Sequence, residues 1–460
     1  MNWRYLLLVP VLTILILYTG KYITTAPLIV AWIIVSLTVG IITFLKPGQG
    51  LIVMVFSMLL SPELKLASIP GRDIVVRIDD ILIIVIAIAW LAHIAMDKEW
   101  KGFVKTPLDR PLLVLLVIYA ISTTNGIIFG NLNAVKSLFY VLKYFEYFLL
   151  YWITANIITS RNDIPRYLYA GLITSAAVTL YAYSLFGQTL RVYGPFDISR
   201  TLAGKAGEAA SLGGYFLIIL GVVLAFYIMS EKRGWLYLIF FLSILPPFIR
   251  TLSRASYTSF AVMMVAVLFI APKKKFILAS MLVAGIVFFP MIASNYYETM
   301  LSRIQGTFQG RRLSSYQLGA YNVEVEQSAA ARFNNWKKAA NVWLVRKPFI
   351  GHGVSGVGLV DTQYPLLIGE IGILGFLAFF YVIGKIFWFS FKSLKNAASS
   401  RIDKTLALGL ITALIGLLVQ GIAVNTFIIV RIMEPFWFLT ALVVGVPKED
   451  APSEALNAHA

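Results

Sequence analysis

SLGGYFLIILGVVLAFYIMS occupies residues 211–230. It carries no charge, and a helix of that length spans about 30 Å, the thickness of a bilayer's hydrocarbon core. Comparable apolar runs recur at 5–19, 26–45, 49–61, 78–96, 111–129, 138–158, 165–186, 234–249, 254–271, 276–293, 364–390, 404–427 and 430–446. Of the 460 residues 59% are hydrophobic and 13% charged, whereas a soluble domain is roughly 45–50% apolar and ~25% charged. The runs are continuous rather than alternating, which excludes a β-barrel. The sequence therefore predicts an all-α polytopic membrane protein with about 12–14 transmembrane helices. The run at 49–61 is short for a full crossing. The run near the start lacks a clean small-residue cleavage site and is expected to be a retained helix rather than a signal peptide.

One stretch breaks this pattern. Residues 294–364 are polar, basic and aromatic. The expected organisation is a helix bundle over 1–293, a large extracytoplasmic loop over 294–364, C-terminal membrane helices over 365–447, and a disordered cytoplasmic tail over 448–460. No 20–50-residue repeat is visible. The chain has no cysteine and three histidines, His93, His352 and His459. Thiolate chemistry and a histidine-rich metal site are therefore excluded.

The net charge of +17 fits the positive-inside rule in part. With the N-terminus cytoplasmic, Lys98, Arg161, Lys232, Arg233, Lys273, Lys274, Lys275, Arg401 and Lys404 fall on inside loops. Arg72, Arg77, Arg191, Arg250, Arg254, Arg431 and the basic residues of the large loop then lie outside. Positive charge on that face needs another reason, and a phosphate-bearing ligand supplies one.

Within the loop, Ser328 to Arg346 reads as an amphipathic helix. Phe333, Trp336, Ala340 and Trp343 share one face, expected to be buried, and Pro348 ends the helix. Gly351-His-Gly-Val-Ser-Gly356 matches a dinucleotide fingerprint literally, but no strand or βαβ unit surrounds it, so a tight turn is the better reading. His352 in that turn is either structural or catalytic. Asp361 is either the cap of the next helix or a general base. Glu370 lies one to two turns into that helix, where a carboxylate is expensive. Lys143 and Glu146, at i and i+3, read as a mutual structural pair.

The order of several motifs resembles the O-antigen ligase and Wzy-type polymerase family over roughly residues 70 to 445. Arg77-Ile-Asp79-Asp80 opens an early helix. Lys143-Tyr-Phe-Glu146-Tyr, Gly207-Glu208 before Ser211-Leu-Gly-Gly-Tyr215, and Leu252-Ser-Arg254-Ala follow. The stretch from Arg332 to Gly375 is similar to the family's signature loop and following helix.

The resemblance implies a metal-independent glycosyltransferase, without cofactor, in a bacterial or archaeal cytoplasmic membrane, with its active site on the extracytoplasmic face. The implied donor is a glycan on undecaprenyl pyrophosphate. The acceptor is a lipid-linked repeat or lipid A core, membrane lipids are the surrounding partners, and no nucleic acid is expected. The family's functional arginines map to Arg254 and Arg332, with Arg303, Arg311 and Arg312 as competitors. Asp361 stands where ligases carry a histidine in a His-Asn-x-Tyr-type segment, which leans toward a polymerase or another glycan transferase. The expected site is thus Asp361, Arg254 and Arg332 as catalytic groups. Arg191, Glu208, Arg303, Arg311, His352, Tyr364 and Arg431 are expected to bind substrate. Direct displacement at the anomeric carbon would invert it. The competing class is a transporter or lipid-linked glycan flippase, which usually places ionisable groups near mid-membrane on broken helices related by a repeat. A peptidoglycan polymerase of the shape, elongation and division type is a third reading.

Overall fold

The computed structural model describes residues 25–446 apart from 62, 70–71, 97, 99–101, 131, 198–206, 293, 310–312, 319–320 and 359. The expected helix at 5–19 and the tail at 448–460 lie outside the described residues. The chain divides into two compact units. The first comprises Met1–Val104, Leu150–Glu208 and Val446–Ala460; the second comprises Lys105–Leu149 and Ala209–Gly445.

The chain is an all-α polytopic membrane protein. The helices are α1 (Thr25–Leu45), α2 (Pro47–Leu60), α3 (Ile78–Met96), α4 (Asp109–Phe129), α5 (Ala134–Ile157), α6 (Ile164–Ser184), α7 (Ala209–Met229), α8 (Gly234–Arg250), α9 (Arg254–Ile270), α10 (Lys275–Ile292), α11 (Ser294–Gln309), α12 (Gln327–Lys338), α13 (Gln363–Lys395), α14 (Arg401–Gly421) and α15 (Val430–Thr440). Among the described residues five of these, α3, α4, α7, α13 and α14, are long and apolar enough to cross a membrane. Their bounds follow the apolar runs closely because a chain in lipid must satisfy every backbone group internally, and a helix does so locally.

The sequence reading did not anticipate two small antiparallel hairpins. β1 (Glu63–Ile69) pairs with β2 (Arg72–Arg77), and β3 (Leu313–Leu318) pairs with β4 (Tyr321–Glu326). Both lie in connections between helices, where no lipid enforces helix.

In the first unit α1 packs on α2 and α3, and α2 packs on α6. Asp79 and Asp80 begin α3 as buried carboxylates. Asp79 Oδ1 accepts from Ser61 Oγ at 2.8 Å, and Asp80 Oδ2 accepts from the Arg77 N–H at 3.1 Å. Asp80 therefore satisfies a donor at the start of α3, and Asp79 ties that start to the end of α2.

In the second unit α7 is the central helix, buried along almost its whole length. It is surrounded by α8, α9, α14 and α15. A Cβ on Gly221 would meet the Ala413 backbone N at 3.0 Å, and one on Gly409 would meet Val222 Cα at 3.0 Å. These glycines let α7 and α14 cross with backbones in contact, the small-residue packing that membrane helices use where burial from water does not drive association. The Lys143–Glu146 pair forms as expected, 2.9 Å apart and buried in α5.

Candidate active site

Two elements of the second unit carry the basic side chains of interest. Helix α8 ends at Arg250, and Thr251-Leu252-Ser253 turns the chain, with Leu252 at φ 49°. Ser253 N-caps α9: its Oγ accepts from the Ser256 N–H. Arg254 is thereby the first residue of a 17-residue helix, where free N–H groups and the helix dipole already favour an anion.

The large loop folds back over this point. It continues from α11 through the β3–β4 hairpin into α12, then through a π-helical turn at Ala339–Trp343 and a last turn at Leu344–Arg346. The amphipathic helix expected over 328–346 is thus present, but its buried face differs. Ala329, Ala330, Ala339 and Trp343 are buried, while Phe333, Trp336 and Ala340 are exposed. The π turn adds a residue to one turn and rephases the faces on its two sides. Trp343 and Ala339 then pack with Val360 and Leu366, which seats the loop on the start of α13.

Arg254 Nη2 lies 2.6 Å from Glu326 Oε2 and donates to Ser328 Oγ at 3.1 Å. Arg332, half-buried on α12, has an Nε buried without a hydrogen-bond partner among the described residues. Burial, and then the positive charge of Arg254, hold its guanidinium pKa below the ordinary value; Asp361 and Glu326 act in the opposite sense. The fold therefore brings Arg254, Arg332, Asp361 and Glu326 into one electrostatic group. Asp361 is exposed, and it does not cap α13. Thr362 is the N-cap residue, with extended backbone and no side-chain capping bond.

Trp336 stands one turn beyond Arg332, with its ring 6.2 Å from that of Tyr364. The Tyr364 hydroxyl donates to the Leu418 carbonyl at 2.5 Å, and its ring stacks on Phe380. This anchors the Asp361–Tyr364 segment to α14.

Helix α13 is broken at Gly372, at φ 66°, ψ −167°. The loop after Lys347 enters the break. The N–H groups of His352 and Gly353 donate to the carbonyls of Gly369 and Glu370 at 2.9 Å, and those of Ile373 and Leu374 donate to Pro348 and Phe349 at 2.8 and 3.1 Å. Ser122 Oγ donates to the Glu370 carbonyl at 2.6 Å, and Glu370 Oε1 accepts from the Ser355 N–H at 2.6 Å. Gly351-His-Gly-Val-Ser-Gly356 is therefore a turn, as its context implied, and Gly351 and Gly353 both have positive φ. His352 faces Trp343, Lys347 and Arg346; burial, then the Lys347 charge, depress its imidazole pKa.

Arg191 is half-buried and Glu208 exposed, both in the first unit. The Glu208 N–H donates to Asp197 Oδ2 at 2.7 Å. Arg431 was expected on an outer turn but is 2% exposed within α15, because the chain after α14 turns back into the bundle through the 3₁₀ turn Thr426–Ile428. The side chain of Arg303, and Arg311 with Arg312, lie outside what is described. Sequence reading missed Glu326 and Ser328. The available signal was the alternation Tyr321-Asn-Val-Glu-Val-Glu326, a strand pattern that delivers an acid to the start of α12.

Residues 247–380 match a family model described as O-antigen ligase. Over this segment the chain is similar to that family. The segment begins at the end of α8 and ends midway along α13, so Arg254, Arg332 and Asp361 all fall inside it. No curated protein matches the chain. The family match supports a membrane glycan-transferring ligase or polymerase in the broad sense.

Proposed function

We propose that the protein transfers a glycan from undecaprenyl pyrophosphate to a hydroxyl of a second sugar, on the extracytoplasmic face of a bacterial or archaeal cytoplasmic membrane. The observation that carries this reading is the electrostatic group of Arg254, Arg332 and Asp361, drawn from three separated parts of the matched segment. In the reaction the acceptor oxygen bonds to the anomeric carbon, and the bond from that carbon to the diphosphate oxygen breaks. The electron pair leaves with the diphosphate, and the acceptor proton passes to the Asp361 carboxylate. The two guanidiniums offer planar donor forks to the departing phosphates and stabilise the charge that develops there, so the step needs no metal. A carboxylate within hydrogen-bond reach serves as base. A single displacement inverts the anomeric centre. Carboxylate rather than imidazole at the head of the Asp361–Tyr364 segment favours a polymerase over a lipid A core ligase.

A transporter would use a broken helix such as α13 to bind its cargo with the freed backbone groups. In α13 those groups are occupied by the chain's own segment from Pro348 to Ser355, which supports a scaffold role for the break.

The test is transfer from a purified lipid-linked glycan donor by the full-length protein. Asp361→Asn keeps the shape and removes the proton acceptor. It should slow turnover roughly 10²–10⁴-fold, the usual worth of a positioned base, while donor binding stays near wild type. Turnover within a few-fold of wild type would remove Asp361 from the base role.

A further inference from the structure

We infer that Glu326 is a displaceable stand-in for the donor's diphosphate on Arg254, and so sets how tightly the site takes its anionic ligand. The inference rests on the diphosphate-linked donor proposed above and goes beyond it to a residue that reading did not include. The Glu326 carboxylate sits 2.6 Å from Arg254 Nη2, in a place where a phosphate oxygen would bond equally well. Both side chains are partly exposed, at 23% and 31%, so the pair is accessible from outside the bundle.

Charge balance argues for displacement. Arg254 and Arg332 supply two positive charges, and Glu326 and Asp361 two negative ones. A diphosphate diester brings two more negative charges, and like charges confined together are strongly disfavoured. One carboxylate has to withdraw for the ligand to enter.

The fold selects which one. Asp361 is held beside the start of α13. There Gln363 Oε1 accepts from the Phe427 N–H at 2.8 Å, and Tyr364 is tied to Leu418. Glu326 ends a two-stranded hairpin, β3–β4, and has no comparable tether to the bundle beyond Arg254 among the bonds described. Withdrawal of Glu326 would also open the face of the Arg254 guanidinium it covers, at the N-terminus of α9, so that the ligand can meet it together with Arg332. Glu326 is then a positioning residue: it keeps the arginine fork in place before the donor arrives, and it competes with the donor.

The experiment measures inorganic pyrophosphate binding and the KM for a lipid-linked donor with full-length protein in detergent. Glu326→Gln keeps length and hydrogen bonding but removes the charge. It should tighten pyrophosphate binding and lower the donor KM, each by about tenfold, the order expected for removing one close like charge at a part-exposed site. Glu326→Asp keeps the charge and should stay near wild type. In an Arg254→Lys background the gain from Glu326→Gln should shrink, because the competition runs through Arg254. A Glu326→Gln protein that binds pyrophosphate no better than wild type overturns the inference, as does a Glu326→Asp protein that binds as tightly as Glu326→Gln. The proposed function fails separately, if Arg254→Lys leaves both pyrophosphate binding and glycan transfer unchanged.

Discussion

Arg332 carries its charge half-buried, close to a second guanidinium, with an Nε for which the described residues offer no acceptor. Such an arrangement works against stability, because burial and like charge both disfavour it. A charge kept at such a cost usually serves a ligand. Lysine at the same position would keep the charge but lose the planar fork. Arg332→Lys is therefore expected to reduce glycan transfer by at least about tenfold, since hydrogen bonds to charged groups are worth roughly 1.5–3 kcal/mol. Its thermal midpoint should stay within a few degrees of wild type. Transfer at the wild-type rate with a lowered midpoint would make Arg332 a structural residue. The sequence placed Arg254, Arg332 and Asp361 as candidates through motif order, but it could not place Glu326. The alternation over Tyr321–Glu326 marks a strand but does not say which arginine its acid meets, because Arg254 lies 72 residues earlier, at the start of α9 and ahead of α10 and α11.

At the scale of elements, the broken helix α13 is the part the apolar pattern concealed. Residues 364–390 read as one continuous span, yet the chain reverses its backbone sign at Gly372 and admits the loop from Pro348 onward. Glu370 sits beside the break with one carboxylate oxygen bound to the Ser355 N–H, so the costly intramembrane carboxylate ties the loop to the helix. A side chain at Gly372 would adopt a disfavoured positive φ, and its Cβ would run into the Phe349 carbonyl. Gly372→Ala should destabilise the protein by about 1–3 kcal/mol, the usual range for a residue forced into such a conformation. Gly384 lies further along the same helix with open space around its Cβ position. Gly384→Ala should be neutral or slightly stabilising, since alanine is the better helix former. Thermal unfolding of the two variants in the same detergent separates the outcomes; equal stability would show that the break is not a constraint.

For the molecule as a whole, orientation in the membrane is the property that the proposed chemistry most depends on. Helix α9 runs from Arg254 to Ile270, about 25 Å at 1.5 Å per residue. Its two ends therefore differ by nearly a membrane thickness. Beyond the second end, Lys274 donates to the carbonyls of Tyr227 and Ser230 at 2.6 and 2.9 Å, and Lys273 lies 3.5 Å from Glu231. Lys274 thereby satisfies carbonyls at the C-terminal end of α7, and both lysines belong to the basic cluster expected on the inside. The chain has no cysteine, so single thiols can be introduced at the exposed Lys273 and Asn334. In intact cells an impermeant thiol reagent should label Asn334→Cys and spare Lys273→Cys. The reverse pattern would place the arginine group on the cytoplasmic side and remove the proposed reaction from the outer face.

The amino-acid sequence by itself determined the apolar helices, though not the polar helix α11. Each is a local apolar run, and lipid leaves the backbone of such a run few alternatives, so bounds such as 78–96 could be read directly. It also marked Arg254, through the Leu252-Ser-Arg254-Ala motif that carries the family resemblance, and Asp361, which stands just before an apolar helix. Tertiary structure alone decided the break at Gly372, the exposure of Phe333 and Trp336, the burial of Arg431 and the pairing of Glu326 with Arg254. Each of these depends on where a distant part of the chain returns. Hydropathy records which solvent a segment prefers, whereas the approach of one side chain to another depends on contacts that no single segment contains.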